Sequence, residues 1–249
     1  MIEIRGLAKR FGRKQVLQDL DLDVRKGETL VVLGPSGTGK SVLLKLVIGL
    51  MKPDAGSIRI DGEEIVGLSE AQLNVVRQRF GMLFQGAALL DSMTVGGNVA
   101  LAMQEHARDM DAAELRRRVL ERLEWVGLAD AVAMKPAALS GGMRKRAGLA
   151  RALAMDPECI LYDEPTTGLD PITADVINQL IREMQARLHV TSVVVTHDIQ
   201  SAYSVADRIV LLYQGRVMFD GTVDETRRTD DAMMRQFIQG SSRGPIQPV

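Results

Sequence analysis

Cysteine is almost absent from this sequence. The single Cys159 among 249 residues cannot form an internal disulfide, which is consistent with a reducing compartment. It stands in the apolar run Cys159-Ile160-Leu161-Tyr162 and reads as a core thiol, not a reactive one. Neither sign of charge is in excess: 31 basic side chains face 32 acidic ones, for a net −1. General affinity for nucleic acid requires a strong basic excess, so no nucleic-acid partner is expected. Long hydrophobic runs are missing too. No stretch reaches the ~18 apolar residues that span a bilayer, and the densest, residues 42–51, is broken by Lys45. The opening MIEIRGLAKRFG lacks the apolar core of a signal peptide. Service at a membrane would therefore require another chain to do the spanning. Internal repeats and low-complexity tracts are also absent.

What remains is an ordinary globular composition, 46% hydrophobic and 25% charged, in a length that fits one large domain or a domain with an insert. Residues 2–4, 20–24 and 29–33 read as strands, with Lys26-Gly27 making a tight connection before the third. A helix is expected from Lys40 to a stop between Gly49 and Pro53, then a half-buried strand over residues 57–60. Residues 79–85 hold another short strand. From about residue 86 to 155 the chain becomes rich in Ala, Leu, Arg and Glu, with helical spacing over residues 114–125, and reads as a helical insert. Alternation then resumes. Strands are expected at 158–163 and 190–196, helices at 172–188 and 199–206, and a hairpin at 209–213 and 216–220 through Gln214-Gly215. Alternating strand and helix predicts an α/β fold with a mostly parallel, covered sheet. The tail from Gly240 carries Gly244, Pro245 and Pro248 and reads as irregular.

Gly34-Pro35-Ser36-Gly37-Thr38-Gly39-Lys40-Ser41 fits G-x-x-x-x-G-K-[ST], with an apolar strand leading in and a helix leading out. Glycines let backbone N–H groups converge on phosphate oxygens without Cβ clashes. The helix start adds N–H donors and a partial positive charge. Lys40 has the reach for β- and γ-phosphates, and the Ser41 hydroxyl suits Mg²⁺. The chain is thus expected to bind ATP with Mg²⁺ and to hydrolyse it. Ile160-Leu161-Tyr162-Asp163-Glu164 is an apolar strand ending in two carboxylates. Ligands gather beyond the carboxyl ends of parallel strands, so Asp163 is expected to hold Mg²⁺ and Glu164 to polarise an attacking water. Val193-Val194-Val195-Thr196-His197 repeats the design, and a neutral His197 can hydrogen-bond the γ-phosphate or that water. His106 and His189 lack such a setting. Leu139-Ser140-Gly141-Gly142-Met143 opens another helix, with Ser140 as cap and the N–H groups of Gly141, Gly142 and Met143 as a second anion site. One nucleotide does not need both sites from one subunit.

In order and spacing, the phosphate loop, Gln85, Leu139 to Met143, Asp163-Glu164, Gly168-Leu169-Asp170 and His197 resemble the nucleotide-binding subunits of ATP-binding cassette (ABC) transporters, over roughly residues 1–225. The resemblance implies a P-loop NTPase core with a mostly parallel sheet, an antiparallel N-terminal β portion and a helical subdomain. Residues 1–85 and 156–225 would form the nucleotide-binding core, 86–155 the helical subdomain, and 226–249 a C-terminal helix and tail. It further implies a homodimer paired head to tail. Ser140, Gly141, Gly142 and Met143 of one copy would close over ATP held by Gly34 to Ser41 of the other. Gln85 would bind Mg²⁺ or the attacking water and sense a membrane partner. Asp170 would contact the opposite subunit, and Phe11 would stack on adenine. Many family members carry Tyr at that place; Phe keeps the stacking face, and plain core filling is the competing reading. The family often ends its signature in Gln, so the amide contact of that Gln does not carry over to Met143. Arg144-Lys145-Arg146, just beyond, reads as a solvated or dimer-facing helix surface, not a targeting run.

Within the family, LSGGMRKRA (139–147), FQGAALLDS (84–92) and the ending from Gln236-Phe237 to Gly244-Pro245 are similar to the Mla-type subgroup, which drives bacterial lipid transport with MCE-domain proteins. That implies phospholipid or other hydrophobic cargo moved between inner membrane and envelope. It implies a peripheral place on the cytoplasmic face of the inner membrane, integral membrane permease subunits, an MCE-domain lipid-binding protein and accessory subunits. The tail 240–249 would reach the neighbouring subunit. A coupling surface is expected over residues 86–98, where Leu89, Leu90, Met93 and Val95 would line a groove for a short helix of the membrane subunit, or else belong to the insert core. The alternatives are a motor for another small-molecule cargo, and a soluble ABC ATPase outside transport. Against the latter, a second cassette and a long coiled-coil insert are missing.

Overall fold

Along the chain, the computed structural model runs β1 (Ile2–Phe11), β2 (Lys14–Val24), β3 (Thr29–Leu33), α1 (Lys40–Val47), β4 (Ala55–Ile60), β5 (Glu63–Glu64), α2 (Glu70–Arg77) and β6 (Phe80–Leu83). Next come α3 (Val95–His106), α4 (Ala112–Trp125), α5 (Gly141–Ala152), β7 (Cys159–Asp163) and α6 (Pro171–Leu188). The last elements are β8 (Thr191–Thr196), α7 (Ile199–Val205), β9 (Arg208–Tyr213), β10 (Arg216–Thr222), α8 (Val223–Arg228) and α9 (Ala232–Gln239). The structure describes all residues except 107–109 and 248–249. Those five include part of the expected helical insert and the end of the expected tail, which lie outside the described residues.

Two compact units divide the chain. The first comprises Met1–Asn74 and Thr191–Val249. It carries an antiparallel sheet in the order β2-β1-β4-β5. The alternation of β1 buries Ile2 and Ile4, a register shift brings Leu7 to the same face, and the alternation of β4 buries Ile58 and Ile60. In the same unit β3 lies between β8 and β9, parallel to both, with β10 antiparallel to β9. Every residue of β3 and β8 is buried beneath helices α1 and α7, the apolar centres Leu30–Leu33 and Val193–Val195 together with the small hydroxyl residues at the strand ends. The hairpin from β9 to β10 turns at Gln214 and Gly215, both left-handed (φ 48° and 75°). Arg208 ties the unit's lower edge, pairing with Glu28 at 2.9 Å and Asp220 at 2.8 Å.

The tail 241–247 is irregular, as expected, and folds against its own unit. The Gln236 carboxamide accepts from the Ile246 N–H at 2.7 Å and donates to the carbonyls of Ile246 at 2.9 Å and Ser241 at 3.0 Å. The Tyr213 hydroxyl oxygen accepts from the Gln247 N–H at 3.0 Å.

The second unit, Val75–Val190, joins the parallel pair β6–β7 to helices α3 to α6. Its hub is α5, which packs on β6, α3, α4 and α6. Small residues make that possible: Gly142, Ala147, Gly148, Ala150 and Ala152 of α5 are all buried. Cys159 is fully buried at the start of β7, as a core thiol.

Candidate active site

In the first unit, β3 delivers the chain into the phosphate loop. Gly34 leaves the strand so close to β9 that a Cβ would sit 2.3 Å from the Leu212 carbonyl oxygen, so only glycine fits. Gly37 and Gly39 are left-handed (φ 79° and 102°), and a Cβ on Gly39 would meet Val16 Cγ1 at 2.8 Å. The loop thus keeps the backbone-lined hollow that a phosphate needs. Helix α1 has no side-chain N-cap at Gly39 and no acidic residue in its first turn, so its positive end is not neutralised by its own side chains. Lys40 is buried, and its ammonium donates to the carbonyls of Gly34 at 2.8 Å and Pro35 at 3.0 Å. The Thr38 hydroxyl also donates to Pro35, at 2.9 Å, while Ser36 and Gly37 are exposed at the mouth of the loop.

His197 belongs to the same unit. Leu33 of β3 is paired with Thr196 of β8, so Gly34 and His197 leave adjacent parallel strands at the same level. His197 is exposed there, beyond a strand that is otherwise wholly buried. Phe11 is 48% exposed at the end of β1, with the Lys9 ammonium 5.7 Å from its ring centre. It is therefore not core filling; an open aromatic face is what base stacking uses.

The second unit gathers the other residues around α5. In the register of β6 and β7, Leu83 faces Tyr162, so the chain exits toward Gln85 and toward Asp163-Glu164 side by side. Asp163 and Glu164 are both buried. Glu164 is left-handed (φ 49°), an uncommon conformation for a non-glycine residue that turns the chain out of the strand. Its carboxylate accepts from the Thr167 hydroxyl at 2.9 Å. Ser140 caps α5 by accepting from the Met143 N–H at 3.2 Å, and the first turn of α5 carries no acidic residue. Gly142 approaches α6 so closely that a Cβ would meet Thr173 Cγ2 at 2.4 Å. Thr173 in turn donates to Asp170 at 2.6 Å, and Asp170 caps α6 through the N–H groups of Ile172 and Thr173. These bonds, the Thr173 hydroxyl first, hold the Asp170 carboxyl below its ordinary range.

One expectation for this unit needs correction. The run Arg144-Lys145-Arg146 is not a uniform surface: Arg144 is exposed, but Lys145 is buried. Its ammonium donates to the carbonyls of Gln85 at 2.5 Å and Glu164 at 2.9 Å. Its phase was the available signal, since it lies three residues before Gly148 and four before Leu149, both core positions. Of the expected coupling residues, Val95 is fully buried insert core, while Leu90 is exposed. A cavity of about 300 Å³ in the same unit is lined instead by Phe80, Met82, Phe84, Ala102, Arg151 and Met155 among others. Thr167, Thr173 and Arg151 also escaped the sequence reading, because none belongs to a motif with a chemical role of its own.

The chain was compared with known proteins. Residues 17–167 match the ABC transporter family. The chain is 44% identical over 245 residues to the "Probable ribonucleotide transport ATP-binding protein mkl" of Mycobacterium leprae, covering 98% of this chain and 70% of that protein. It is 42% identical over 246 residues to the intermembrane phospholipid transport system ATP-binding protein MlaF of Haemophilus influenzae, covering 99% of this chain and 93% of that one. Among solved structures, an ATP-binding cassette captured as a dimer in a post-hydrolysis state bound to ADP and Pi superposes with a TM-score of 0.83 and 34% identity, over 90% of this chain and 99% of that one. The glycine hollow, the buried Lys40 and the strand-end carboxylates agree with that likeness, and the chain belongs to the ABC transporter family as one of its ATP-hydrolysing subunits.

Proposed function

We propose that this ATPase is the motor of an envelope lipid transporter, with phospholipid or a similarly hydrophobic molecule as cargo. The observation that carries this reading is the 42% identity to the phospholipid-transport relative, which spans 93% of that relative's length. Among the described residues no helix is long and apolar enough to cross a membrane. The cargo path therefore belongs to partner chains: integral membrane permease subunits, an MCE-domain lipid-binding protein and accessory subunits. The ATPase would sit peripherally on the cytoplasmic face of the inner membrane, working as a homodimer that closes head to tail on ATP. The cavity beside Phe84 and Arg151 is the surface we assign to a helix of the permease.

At the nucleotide, Lys40 would turn its ammonium from the carbonyls of Gly34 and Pro35 to phosphate oxygens, while Gly34, Pro35, Ser36, Gly37, Thr38, Gly39 and Ser41 line the cradle. Phe11 would stack on adenine. Ser41, Gln85 and Asp163 are the proposed Mg²⁺ ligands. Among the described residues no cluster of three His, Cys, Asp or Glu side chains forms a cage for a metal, and Mg²⁺ is commonly held by few protein groups together with substrate phosphates. Bound there, Mg²⁺ would neutralise developing phosphate charge. Glu164 would accept the proton of the attacking water, and His197 would hydrogen-bond the γ-phosphate. Ser140, Gly141, Gly142 and Met143 would face the nucleotide of the opposite copy, with Asp170 at the subunit contact.

A second reading, transport of another small molecule, is favoured by the ribonucleotide-transport name of the 44% identical relative. Affinity purification of the full chain from detergent-solubilised membranes, followed by protein and lipid mass spectrometry, separates the two. Co-purification of an integral membrane protein together with an MCE-domain protein and bound phospholipid supports lipid cargo. A permease arriving without either points to the second reading, and the absence of any membrane protein overturns both.

A further inference from the structure

The segment after Gln85 is held in an unusual way. Ala87 and Ala88 are consecutive left-handed residues (φ 60° and 49°), a conformation that non-glycine residues keep only when their surroundings enforce it. The enforcement comes from one face of α5, at residues 145, 148 and 151. Lys145 donates to the carbonyls of Gln85 and Glu164. Arg151 donates to the carbonyls of Ala87, at 2.9 Å, and Ala88. Between them Gly148 lets the loop seat directly on the helix: a Cβ there would meet Leu83 Cδ1 at 2.8 Å, Ala87 Cβ at 3.2 Å and the Ala87 carbonyl oxygen at 3.3 Å. The far end of the loop is fixed by the buried Asn98 of α3, which accepts from the Leu90 N–H at 2.7 Å and donates to the Leu90 carbonyl at 3.1 Å. Gln85 and Gly86 themselves remain exposed. The backbone of the loop is gripped while the Gln85 side chain stays accessible.

We infer that Lys145 and Arg151 are positioning residues for ATP hydrolysis: they lock the backbone of Gln85, Ala87, Ala88 and Glu164 to the helix that begins at Ser140, so that these groups move as one body. This rests on the roles proposed above for Gln85 and Glu164. Three features favour a dedicated clamp over ordinary core packing. Both donors are cationic side chains, Lys145 buried and Arg151 half-buried, and burial lowers the pKa of each, partly offset at Lys145 by Asp163 and Glu164. Both aim at backbone carbonyls, which no neighbouring substitution can remove. And the Lys145 bonds bridge two chain segments 79 residues apart, from Gln85 to Glu164, through a single nitrogen. Disturbing the clamp should therefore spoil the alignment of Glu164 and Gln85 without touching the phosphate loop, which is built from other elements.

The test uses the full chain with Lys145→Gln, Lys145→Arg and Arg151→Lys. The readouts are phosphate release, the Kd for a fluorescent ATP analogue, the melting temperature, and amide hydrogen exchange over residues 85–88. A clamp predicts that Lys145→Gln lowers kcat about tenfold or more, leaves KM and the analogue's Kd within about twofold, and speeds exchange of the loop amides. Lys145→Arg, which restores a cation and several donors, should recover most of the loss. Unchanged kcat, or kcat and nucleotide affinity falling in parallel, overturns the inference. If Lys145→Gln does not fold, Arg151→Lys decides on the same criteria, since it trades a two-carbonyl fork for a single ammonium. Glu164→Gln is run alongside. Should that variant keep turnover, the proposed role of Glu164 has failed, whatever the clamp variants do.

Discussion

Replacing Glu164 by Gln is the sharpest test of the hydrolytic assignment, because the surrounding geometry separates chemistry from folding. The backbone at Glu164 is held by groups the substitution leaves in place: its carbonyl accepts from Lys145 at 2.9 Å and from the Thr167 N–H at 3.3 Å. At the side chain, the Thr167 hydroxyl donates to the carboxylate at 2.9 Å, and the Lys145 ammonium lies close enough to favour its charge. A Gln amide oxygen can take over that bond, leaving its NH₂ to point elsewhere. At that bond the change is the difference between a charge-assisted and a neutral hydrogen bond, about 1 kcal/mol, or ~2–4 °C in melting temperature for a chain of this size. Turnover is a different matter. An amide cannot accept a proton from water, and loss of a positioned general base costs roughly 10²–10⁴-fold in rate, or about 3–5 kcal/mol of barrier. Phosphate release should fall by that factor, while the Kd for a fluorescent ATP analogue stays near wild type and light scattering shows a dimer persisting in MgATP. Phosphate release within about threefold of wild type, from a variant that still binds ATP, would refute the base assignment and the barrier arithmetic with it.

Gly34→Ala drives a Cβ to within 2.3 Å of the Leu212 carbonyl. Because that carbonyl is backbone and cannot swing aside, the change should lower stability by about 1–3 kcal/mol and abolish nucleotide binding, checked by thermal melts with and without MgATP. Gln236→Leu leaves the N–H and carbonyl of Ile246 without their partner; a loss of about 1–3 kcal/mol and rapid protease trimming of the tail 241–247 are expected, read by mass spectrometry. Acid should unfasten helix caps. Asp170 is held below its ordinary 3.8, chiefly by the Thr173 hydroxyl, and Glu225 below 4.5, chiefly by the Thr222 N–H. Their contribution is complete above those values and lost as pH falls through the lower folded ones, so melting temperatures should drop between about pH 5 and about pH 3, less so in Asp170→Asn.

Why some of this was legible in the sequence, and some not, follows from what each element presents. Strands β3 and β8 are buried throughout, so their apolar runs declare them within a residue of their ends. The phosphate loop and the Asp163-Glu164 pair announce themselves because their chemistry demands particular side chains at fixed spacing. Strand β1 extends to Phe11, well past the short segment its alternation suggested. The left-handed Gly6 and the register shifts that follow break the two-residue period at Leu7. Helix α2, EAQLNVVR, buries only Leu73 and Val76 in two turns, too short a stripe to mark a period. Lys145 is hidden in the sequence for a deeper reason. Its sequence neighbours are charged, and a charge run ordinarily means a solvated face. The helical phase said otherwise, but phase alone gives no cause for burying a cation, since a buried ammonium needs acceptors and no acidic side chain stands at helical spacing beside it. Its ammonium donates to backbone carbonyls, at Gln85 and Glu164. Every residue carries such a carbonyl, so no pattern of side chains could mark these two. Only the fold distinguishes them, by bringing two strand exits side by side beneath one helix. The positions least visible in a sequence are therefore those where a side chain answers to the main chain, and the grip on the Gln85 loop is made entirely of such contacts.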